Sequence, residues 1–463
     1  MPFLHQMNSN GVKFMQLWAK FWVGYLVLWL LLATGCGLWF YGQFPYLVYF
    51  LIPFVPLMLM GVVPASYGLI ALQLQSWRTR IFLLVIYVLL VTLFLGAFPA
   101  YRNAHEAPEN QGPYLSWASD PKTTMTVSWT TAAPSLGMVK WRSSEKEEFQ
   151  IKMGNVETRF HHLSLTDLSP DTTYTYQIPE LGTQSYLFNT APAADDDFSF
   201  IAYGDNRPFG GISKHGAVFA AMEKTARIDE PIDFIINTGD LVENPGQGHG
   251  WQWYDFLNTI MPLAASHPYL VSLGNHEARG GTRYYDSYFD FGSPDPWYSM
   301  TYANVHFVFL SSEHDLNTES PQHTWLETDL EENAEKSRFI VVSFHQPLLT
   351  YSESHGRNED LSRHELLMPV FRQHAVDLVL SGHVHFYEHL LLDGIHSVTT
   401  GGGGVLLWDK PAIGPKTIKT ETAFHFCRIT VTGDELRVRA ERLDGSVIEE
   451  FIASRQRTLP VPG

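Results

Sequence analysis

The stretch Leu380-Ser381-Gly382-His383-Val384-His385 is the part of this sequence around which the rest can be arranged. It overlaps the end of an apolar run, Val376 to Leu380, that is typical of a buried strand. The two imidazoles stand two residues apart and would face opposite ways on an extended segment, so the useful geometry is a loop wrapped around a ligand. Neutral imidazole commonly binds zinc, iron and manganese, which makes a pair of metal ions one candidate. Two solvent-exposed loop histidines are the alternative at this point.

Composition divides the 463 residues into two parts. Residues 1–101 contain no Asp or Glu and only four charged residues, Lys13, Lys20, Arg78 and Arg80. Removing those four from the whole-chain totals leaves 27 basic and 48 acidic residues from 102 onward, a net charge of −21. Because nucleic acid is also negatively charged, we do not expect this acidic part of the chain to bind it. With only Cys36 and Cys427, a disulfide framework or a cysteine-based zinc site is excluded.

Three apolar runs occupy the first hundred residues, near 21–40, 46–72 and 81–98. A helix of about 20 apolar residues can cross a bilayer, and three prolines predict a kink in the second run. A cleaved signal peptide is the competing interpretation of the first run, but the two later runs argue against it. The sequence therefore predicts a transmembrane region over 1–101, with about three helices in the lipid bilayer.

The basic residues predict the orientation of these helices. Lys13 and Lys20 precede the first run, Arg78 and Arg80 lie between the second and third, and such residues favour the cytoplasmic side. Three crossings would then place the acidic part of the chain outside. We therefore expect a multi-pass protein of the cytoplasmic (inner) membrane, with its large domain on the extracytoplasmic side.

Residues 112–192 are predicted to form an all-β domain of short strands such as 124–129 and 137–141, separated by turn-rich stretches. The segment Leu168 to Tyr176 looks like the tyrosine corner of a β-sandwich, in which a Tyr closes a turn by hydrogen-bonding to upstream backbone. This stretch resembles a fibronectin type III domain. It contains no cluster of metal ligands, so we expect a rigid spacer packed on its neighbour.

From Phe198 the sequence changes to buried strands that each end in a polar motif. The motifs are, in order, Gly204-Asp205, Gly239-Asp240, Gly274-Asn275-His276-Glu277, His345 and Gly382-His383-Val384-His385. Helical segments such as 213–225 and 324–336 lie between them, so we expect a layered α/β core whose ligands gather at the carboxyl ends of the strands. Each motif alone is ordinary. Together they supply a mixed set of nitrogen and oxygen ligands that suits two metal ions a few ångström apart.

In motif order, residues 198–451 resemble a metallophosphoesterase, and residues 112–451 resemble a purple acid phosphatase. The resemblance implies a metallophosphoesterase β-sandwich flanked by helices over 197–453, followed by a flexible tail at 454–463. It also implies two metal ions (iron, zinc or manganese), with Asp240 as the bridging ligand. The remaining ligands would be Asp205 and His385 at the first ion, and Asn275, His345 and His383 at the second. His276 would stand over the substrate as the acid.

Some positions depart from the family pattern. Purple acid phosphatases carry a Tyr three residues after the bridging Asp, where this chain has Glu243, so the family's colour and a firmly held ferric ion are not expected. The wider metallophosphoesterase group places a His two residues after the first Asp, where this chain has Arg207. Glu243, Asn206 or water could fill the gap at the first ion. His389 stands where Arg usually follows Tyr-Glu.

We therefore predict a membrane-anchored, outward-facing phosphoesterase in which a metal-bound hydroxide attacks a phosphomonoester and both metal ions stabilise the developing charge. Arg207 would clamp a non-bridging phosphate oxygen, with an ordinary surface salt bridge as its alternative role. A phosphodiesterase with the same metal centre is the alternative function. From another class, a catalytically inactive ligand-binding or sensory membrane protein is possible, but the complete ligand set argues against it.

Overall fold

The computed structural model describes residues 108–192, 196–209, 212–228, 231–353 and 357–453. Apart from residue 212, the described residues form one compact unit. Within the described ranges the chain forms twenty strands, five α-helices and a short 3-10 helix at Pro179–Leu181.

The strands of the first domain are β1 Gln111–Ser116, β2 Met125–Ser135, β3 Met138–Ser143, β4 Gln150–Met153, β5 Thr158–Leu165, β6 Thr173–Gln177 and β7 Ser185–Asn189. Those of the second domain are β8 Phe198–Tyr203, β9 Phe234–Asn237, β10 Tyr269–Val271, β11 Tyr298–Tyr302, β12 Val305–Phe309, β13 Phe339–Ser343, β14 Leu378–Ser381, β15 Tyr387–Leu392, β16 Ile395–Thr400, β17 Thr417–Glu421, β18 His425–Thr432, β19 Glu435–Arg442 and β20 Val447–Ile452. The helices are α1 His215–Ile228, α2 Gly250–Ala264, α3 Arg283–Tyr288, α4 Pro321–Asn333 and α5 Arg357–Gln373.

The first domain consists of two antiparallel sheets, with strand orders β1-β2-β5 and β4-β3-β6-β7. Trp129 from one sheet and Tyr176 and Phe188 from the other are buried in the same core. The hydroxyl of Tyr174 accepts a hydrogen bond from the backbone N–H of Ser169 (2.8 Å) and closes the turn before β6, as expected for a tyrosine corner. The domain is a seven-stranded β-sandwich.

The second domain is built on two larger sheets, ordered β10-β9-β8-β18-β19-β20 and β11-β12-β13-β14-β16-β15-β17. The strands β8, β9 and β10 run parallel, as do β12, β13, β14 and β16. Every residue of β8 and β13 is buried, because a parallel sheet covered on both faces leaves no side of a strand in water. Phe200, Phe234, Phe307 and Val341 share the core between the sheets.

Helices cover the outer faces of these two sheets. Val218 of α1 and Phe256 of α2 pack on the sheet that contains β8, and Leu326 of α4 and Phe371 of α5 pack on the sheet that contains β13. The predicted α/β core of two packed sheets flanked by helices is confirmed.

The two domains share a continuous contact. The Tyr176 hydroxyl donates to the backbone oxygen of Ala265 (2.6 Å), and the Ser116 hydroxyl donates to that of Asp290 (3.1 Å). The Trp117 ring lies against Phe234, with centroids 5.7 Å apart. Such buried polar and aromatic contacts fix the relative position of the domains, as expected for a rigid spacer.

The predicted fold class also included about three transmembrane helices, and the predicted location was a multi-pass membrane protein; both are corrected here. Across the described ranges, no helix is long and apolar enough to cross a bilayer. A span needs about 20 predominantly apolar residues. The most apolar described helix, α2, has 15 residues, and the 17-residue α5 is rich in charge. The apolar runs at 21–40, 46–72 and 81–98 lie outside the described residues, as does the predicted tail at 454–463.

Candidate active site

Five strand ends bring the predicted site residues to one edge of the two sheets. They are Asp205 after β8, Asp240 after β9, Asn275 and His276 after β10, His345 after β13, and His383 and His385 after β14. Within each sheet these strands run parallel, so their carboxyl ends meet at one edge. The structure therefore places all the residues that the sequence predicted as ligands in one cluster.

Glycines directly precede Asp205, Asp240, Asn275 and His383 because these strand ends approach one another closely. A Cβ added to Gly382 would overlap the carboxylate of Asp205, and one added to Gly274 would overlap the backbone nitrogen of Asp240. Asp205 and Asp240 themselves adopt left-handed backbone conformations, with φ of +58° and +60°. Aspartate tolerates this region better than most residues, so the same residue type serves both the turn and the site.

One group of ligand atoms centres on Asn275. Its Oδ1 lies 3.0 Å from Nε2 of His345 and 3.0 Å from Nδ1 of His383. Nε2 of His345 also lies 3.3 Å from Oδ1 of Asp240. Nδ1 of His345 lies 2.9 Å from the carbonyl oxygen of Thr238, and donating to that oxygen leaves a lone pair on Nε2. Oδ1 of Asn275, Oδ1 of Asp240 and Nε2 of His345 thus present electron pairs to one another.

A second group centres on Asp205. Its Oδ2 accepts the backbone N–H of His383 (2.8 Å), whereas its buried Oδ1 has no hydrogen-bond donor within the described residues. Nε2 of His385 lies 3.6 Å from that Oδ1. Burial and the neighbouring carboxylate of Asp240 raise the pKa of Asp205 well above its usual value. A nearby cation would relieve this unfavourable arrangement.

This donor set fits metal ions. Asp205, Asp240 and His345 each offer a ligand atom, and these atoms lie within 4.8 Å of one another. Electron-pair atoms so close together repel unless a proton or a cation lies between them. Imidazole, carboxylate and amide ligands together suit zinc, iron and manganese.

Arg207 is buried in the site instead of forming a surface salt bridge. Its Nε donates to Oδ2 of Asp240 (3.0 Å), and its Nη1 pairs with Oε2 of Glu243. Burial alone would raise the pKa of Asp240, but His345, His276 and Arg207 hold it below the usual value. Arg207 is thus one of the cationic groups that favour the ionised form of the central carboxylate.

His276 lies beside the same carboxylate, with Nε2 3.7 Å from Oδ2 of Asp240. Its Nδ1 donates to the backbone oxygen of Glu243 (2.8 Å), and its Nε2 accepts from Nη2 of Arg279 (3.1 Å). Burial lowers the pKa of His276 to about 4. In this arrangement the ring is neutral, and Nε2 becomes a proton donor only after it is protonated.

Two acidic residues at the site received no role from the sequence. Glu277 lies in the third motif, and its carboxylate accepts four backbone N–H groups from the loops around Asp240 and Gly274. Its place beside Asn275 and His276 was the available signal. Asp409 lies behind His385, and its Oδ2 accepts the His385 backbone N–H (2.8 Å). No motif or spacing in the sequence marks Asp409.

The site opens into a cleft of about 300 Å³. The cleft is lined by Arg207, Phe209, Asp240, Glu243, Asn275, His276, Arg279, His383, His385 and Trp408. Phe209 and Trp408 are about half exposed. The cleft therefore combines a charged floor with an aromatic rim, and a small anionic ester can reach the ligand cluster.

Comparison with known proteins agrees with this geometry. Residues 199–387 match the calcineurin-like phosphoesterase family, and residues 110–193 match the purple acid phosphatase N-terminal domain. An uncharacterized protein of Mycobacterium tuberculosis is 28% identical over 344 residues, covering 62% of this chain and 63% of its own length. Purple acid phosphatase 18 of Arabidopsis thaliana is 26% identical over 316 residues, covering 63% and 68%. The chain thus spans a little under two thirds of the mycobacterial relative.

A solved structure shares the fold. The purple acid phosphatase PPD1 from yellow lupin (Lupinus luteus) seeds matches with a TM-score of 0.67 at 20% identity, over 75% of this chain and 74% of its own.

Residues 199–387 are thus similar to calcineurin-like phosphoesterases, and the site that they carry has a donor set that fits metal ions. Within that class the chain is purple acid phosphatase-like: a calcineurin-like phosphoesterase domain follows a purple acid phosphatase N-terminal domain, and this fold implies a dinuclear metal centre. The first domain matches the purple acid phosphatase N-terminal domain, and this match does not test its predicted likeness to a fibronectin type III domain. That likeness remains a prediction.

Proposed function

We propose that this protein hydrolyses phosphomonoesters at a dinuclear metal centre. The observation that carries the proposal is the convergence of ligand atoms from Asp205, Asp240 and His345 within 4.8 Å, next to a cleft open to solvent. Relatives named as purple acid phosphatases support the choice of monoester chemistry.

The ligands divide between the two ions as the geometry suggests. Asp240 lies within 3.3 Å of His345 and shares the buried cluster with Asp205, so we assign it the bridging position. Asp205 and His385 then complete the first site. Asn275, His345 and His383 complete the second, because both imidazoles lie 3.0 Å from the Asn275 oxygen.

When bound, two such metal ions supply a nucleophile from water and offset the charge of the phosphoryl oxygens. Arg207 has Nε and Nη1 committed to Asp240 and Glu243, which holds the guanidinium rigidly at the cleft. We assign its remaining N–H groups to a non-bridging phosphate oxygen. We assign His276 as the proton donor to the leaving oxygen, through the Nε2 that Arg279 contacts.

The first domain is assigned a structural role. Its two sheets, its tyrosine corner at Tyr174 and its hydrogen bond from Tyr176 to Ala265 support a fibronectin type III-like spacer that is fixed to the catalytic domain.

Asp240→Asn tests the proposed function. It keeps the size of the side chain but removes the charge that both ions need. We expect bound metal and phosphomonoesterase activity to fall together while the circular dichroism spectrum is unchanged. Asp233→Asn is the matched control, because Asp233 is a largely buried aspartate that hydrogen-bonds Ser199 and Tyr302 away from the cleft.

Metal content is measured by elemental analysis, and activity on a panel of phosphomonoesters and phosphodiesters. Full activity with undiminished metal in Asp240→Asn would contradict the dinuclear assignment. A wild-type preference for diesters would contradict the choice of monoesters.

A further inference from the structure

The first metal site lacks a ligand that the family pattern supplies, and the structure shows that Glu243 does not replace it. Oε2 of Glu243 pairs with Nη1 of Arg207, and its Oε1 lies 4.0 Å from Nη1 of Arg279. Within the described residues, the ligand cluster formed by Asp205, Asp240 and His345 does not include Glu243. Its carboxylate is committed to the arginines of the cleft.

Asp409 occupies the other side of the first site, behind His385. Its Oδ2 accepts the backbone N–H of His385 (2.8 Å) and lies 3.6 Å from Nδ1 of the same residue. The other ring nitrogen, Nε2, lies 3.6 Å from Oδ1 of Asp205. The imidazole therefore stands between one carboxylate of the metal site and one carboxylate outside it. The side chains of Asp409 and His385 are 0% and 2% exposed, so water screens this interaction little.

We propose that Asp409 is the positioning residue that completes the first metal site, acting through His385. The proposal rests on the dinuclear centre of the proposed function. A carboxylate that accepts the far N–H of a metal-binding imidazole fixes its tautomer and makes it a better electron donor. At 3.6 Å from Nδ1 the Asp409 carboxylate acts electrostatically, favouring the proton on Nδ1 and the electron pair on Nε2. Through the imidazole ring, Asp409 thereby supplies some of the negative charge that the phenolate of a tyrosine at position 243 would supply directly.

The glycine run at 401–404 explains how Asp409 reaches this position. Cβ atoms at Gly401 and Gly403 would overlap the backbone oxygens of Val384 and Gly204, so only glycine allows this segment to lie against both strand ends. The N–H of Val405 then donates to the backbone oxygen of Asp205 (2.9 Å).

The neighbour of Asp409 adds to the same support. The Trp408 ring lies against the His385 ring, with centroids 5.6 Å apart and planes at 60°. The segment after the glycine run thus contacts His385 through a ring and a carboxylate, while the backbone of His385 lies in the loop between β14 and β15.

Asp409→Asn tests the inference, because the amide oxygen can still accept the His385 N–H while the charge is gone. Full-length, metal-free protein is titrated with Zn²⁺ by isothermal titration calorimetry. We expect the affinity of one of the two ions to fall about 10- to 100-fold, while the other ion binds as in the wild type. Asp409→Glu, which keeps the charge, should restore most of the lost affinity.

Asp233→Asn is the matched control: it removes an aspartate charge away from the cleft, and it should leave both affinities unchanged. Unchanged binding in Asp409→Asn would overturn the inference, as would an equal loss of both ions or a similar loss in Asp233→Asn. A protein that shows the Asp409 effect but hydrolyses no phosphoester would count against the proposed function alone.

Discussion

At the scale of single residues, His276 has the position of a proton donor. Its hydrogen bonds, however, leave Nε2 as an acceptor without a proton when no substrate is bound. Nδ1 donates to the backbone oxygen of Glu243, and Nε2 accepts from Arg279. The ring is therefore oriented, with Nε2 on the side of the Asp240 carboxylate. A leaving oxygen near that nitrogen could receive a proton from it once the ring is protonated.

His276→Ala tests this role through the dependence on the leaving group. An alkoxide leaves poorly without a proton, whereas a nitrophenolate leaves well without one. General acid catalysis contributes about 10²- to 10⁴-fold, so we expect a loss in that range on alkyl phosphates and a much smaller loss on nitrophenyl phosphate. Steady-state kinetics on both substrates, at equal metal content, measures the difference.

His314→Ala is the control, since His314 hydrogen-bonds Ser311 and does not line the cleft. Equal losses on both substrates in His276→Ala would show that the residue positions substrate or water instead of donating a proton.

The site residues that the sequence predicted share one feature: each directly follows a strand that is recognisable from its apolar run. Asp205 and Asp240 could be found in this way because the ends of parallel strands must meet. Asp409 could not, because its distance to His385 depends on how the segment after the glycine run folds back over the site. The partner of Glu243 is likewise set by tertiary packing, because Arg207 is 36 residues away.

At the scale of elements, one carboxylate holds together the loops that follow β9 and β10. Oε1 of Glu277 accepts the N–H groups of Leu241 and Val242 (2.9 and 3.0 Å), and Oε2 accepts those of Asp240 and Gly274 (2.9 and 3.2 Å). Four backbone donors that converge on a fully buried side chain fix the turn that presents Asp240.

Glu277→Gln should disrupt this arrangement. One carboxylate oxygen becomes an NH₂ group, which would face two backbone donors and leave them unsatisfied. Since unsatisfied buried donors cost about 1–3 kcal/mol each, we expect the free energy of unfolding to fall by about 2–6 kcal/mol, with reduced metal content. Chemical denaturation measures the loss.

Glu327→Gln provides the comparison, because Glu327 lies on α4 with its side chain about half exposed. An unfolding free energy for Glu277→Gln equal to that of the wild type would show that these loops keep their conformation without the carboxylate.

Elements differ in how far the sequence predicts them. The strands β8 and β13 are buried at every position, so each appears in the sequence as a continuous apolar run whose position is easily recognised. The segments 213–225 and 324–336 predicted α1 and α4 with ends shifted by about one turn or less. Ser320 caps α4, accepting the N–H of His323 and starting the helix at Pro321. Helices α2 and α5 contain Pro262 and Pro369, residues that normally interrupt a helical pattern.

At the scale of the whole molecule, the two domains share one apolar core. Trp117 of the first domain packs against Phe234 and Tyr302 of the second, with ring centroids 5.7 and 5.6 Å away. These rings belong to the same buried cluster as Phe307 between the large sheets. Unfolding one domain would therefore expose the core of the other to water. The sequence predicted a spacer packed on its neighbour, and the packing adds that aromatic residues of the first domain complete the core of the second.

The shared core predicts that both domains unfold in a single cooperative transition. The Tyr176→Phe change removes the hydroxyl that donates to the backbone oxygen of Ala265 (2.6 Å) across the interface. Leaving a buried carbonyl without its donor costs about 1–3 kcal/mol, so the whole transition should move to lower denaturant concentration without splitting. Near-ultraviolet circular dichroism and tryptophan fluorescence should report the same midpoint, and the turnover of the folded enzyme should not change.

Tyr186→Phe is the control, because Tyr186 is a more exposed neighbour on β7 of the same sheet. Two separate transitions in the wild type would contradict the shared core, and a Tyr176→Phe midpoint equal to that of Tyr186→Phe would show that the interface hydrogen bond adds no stability.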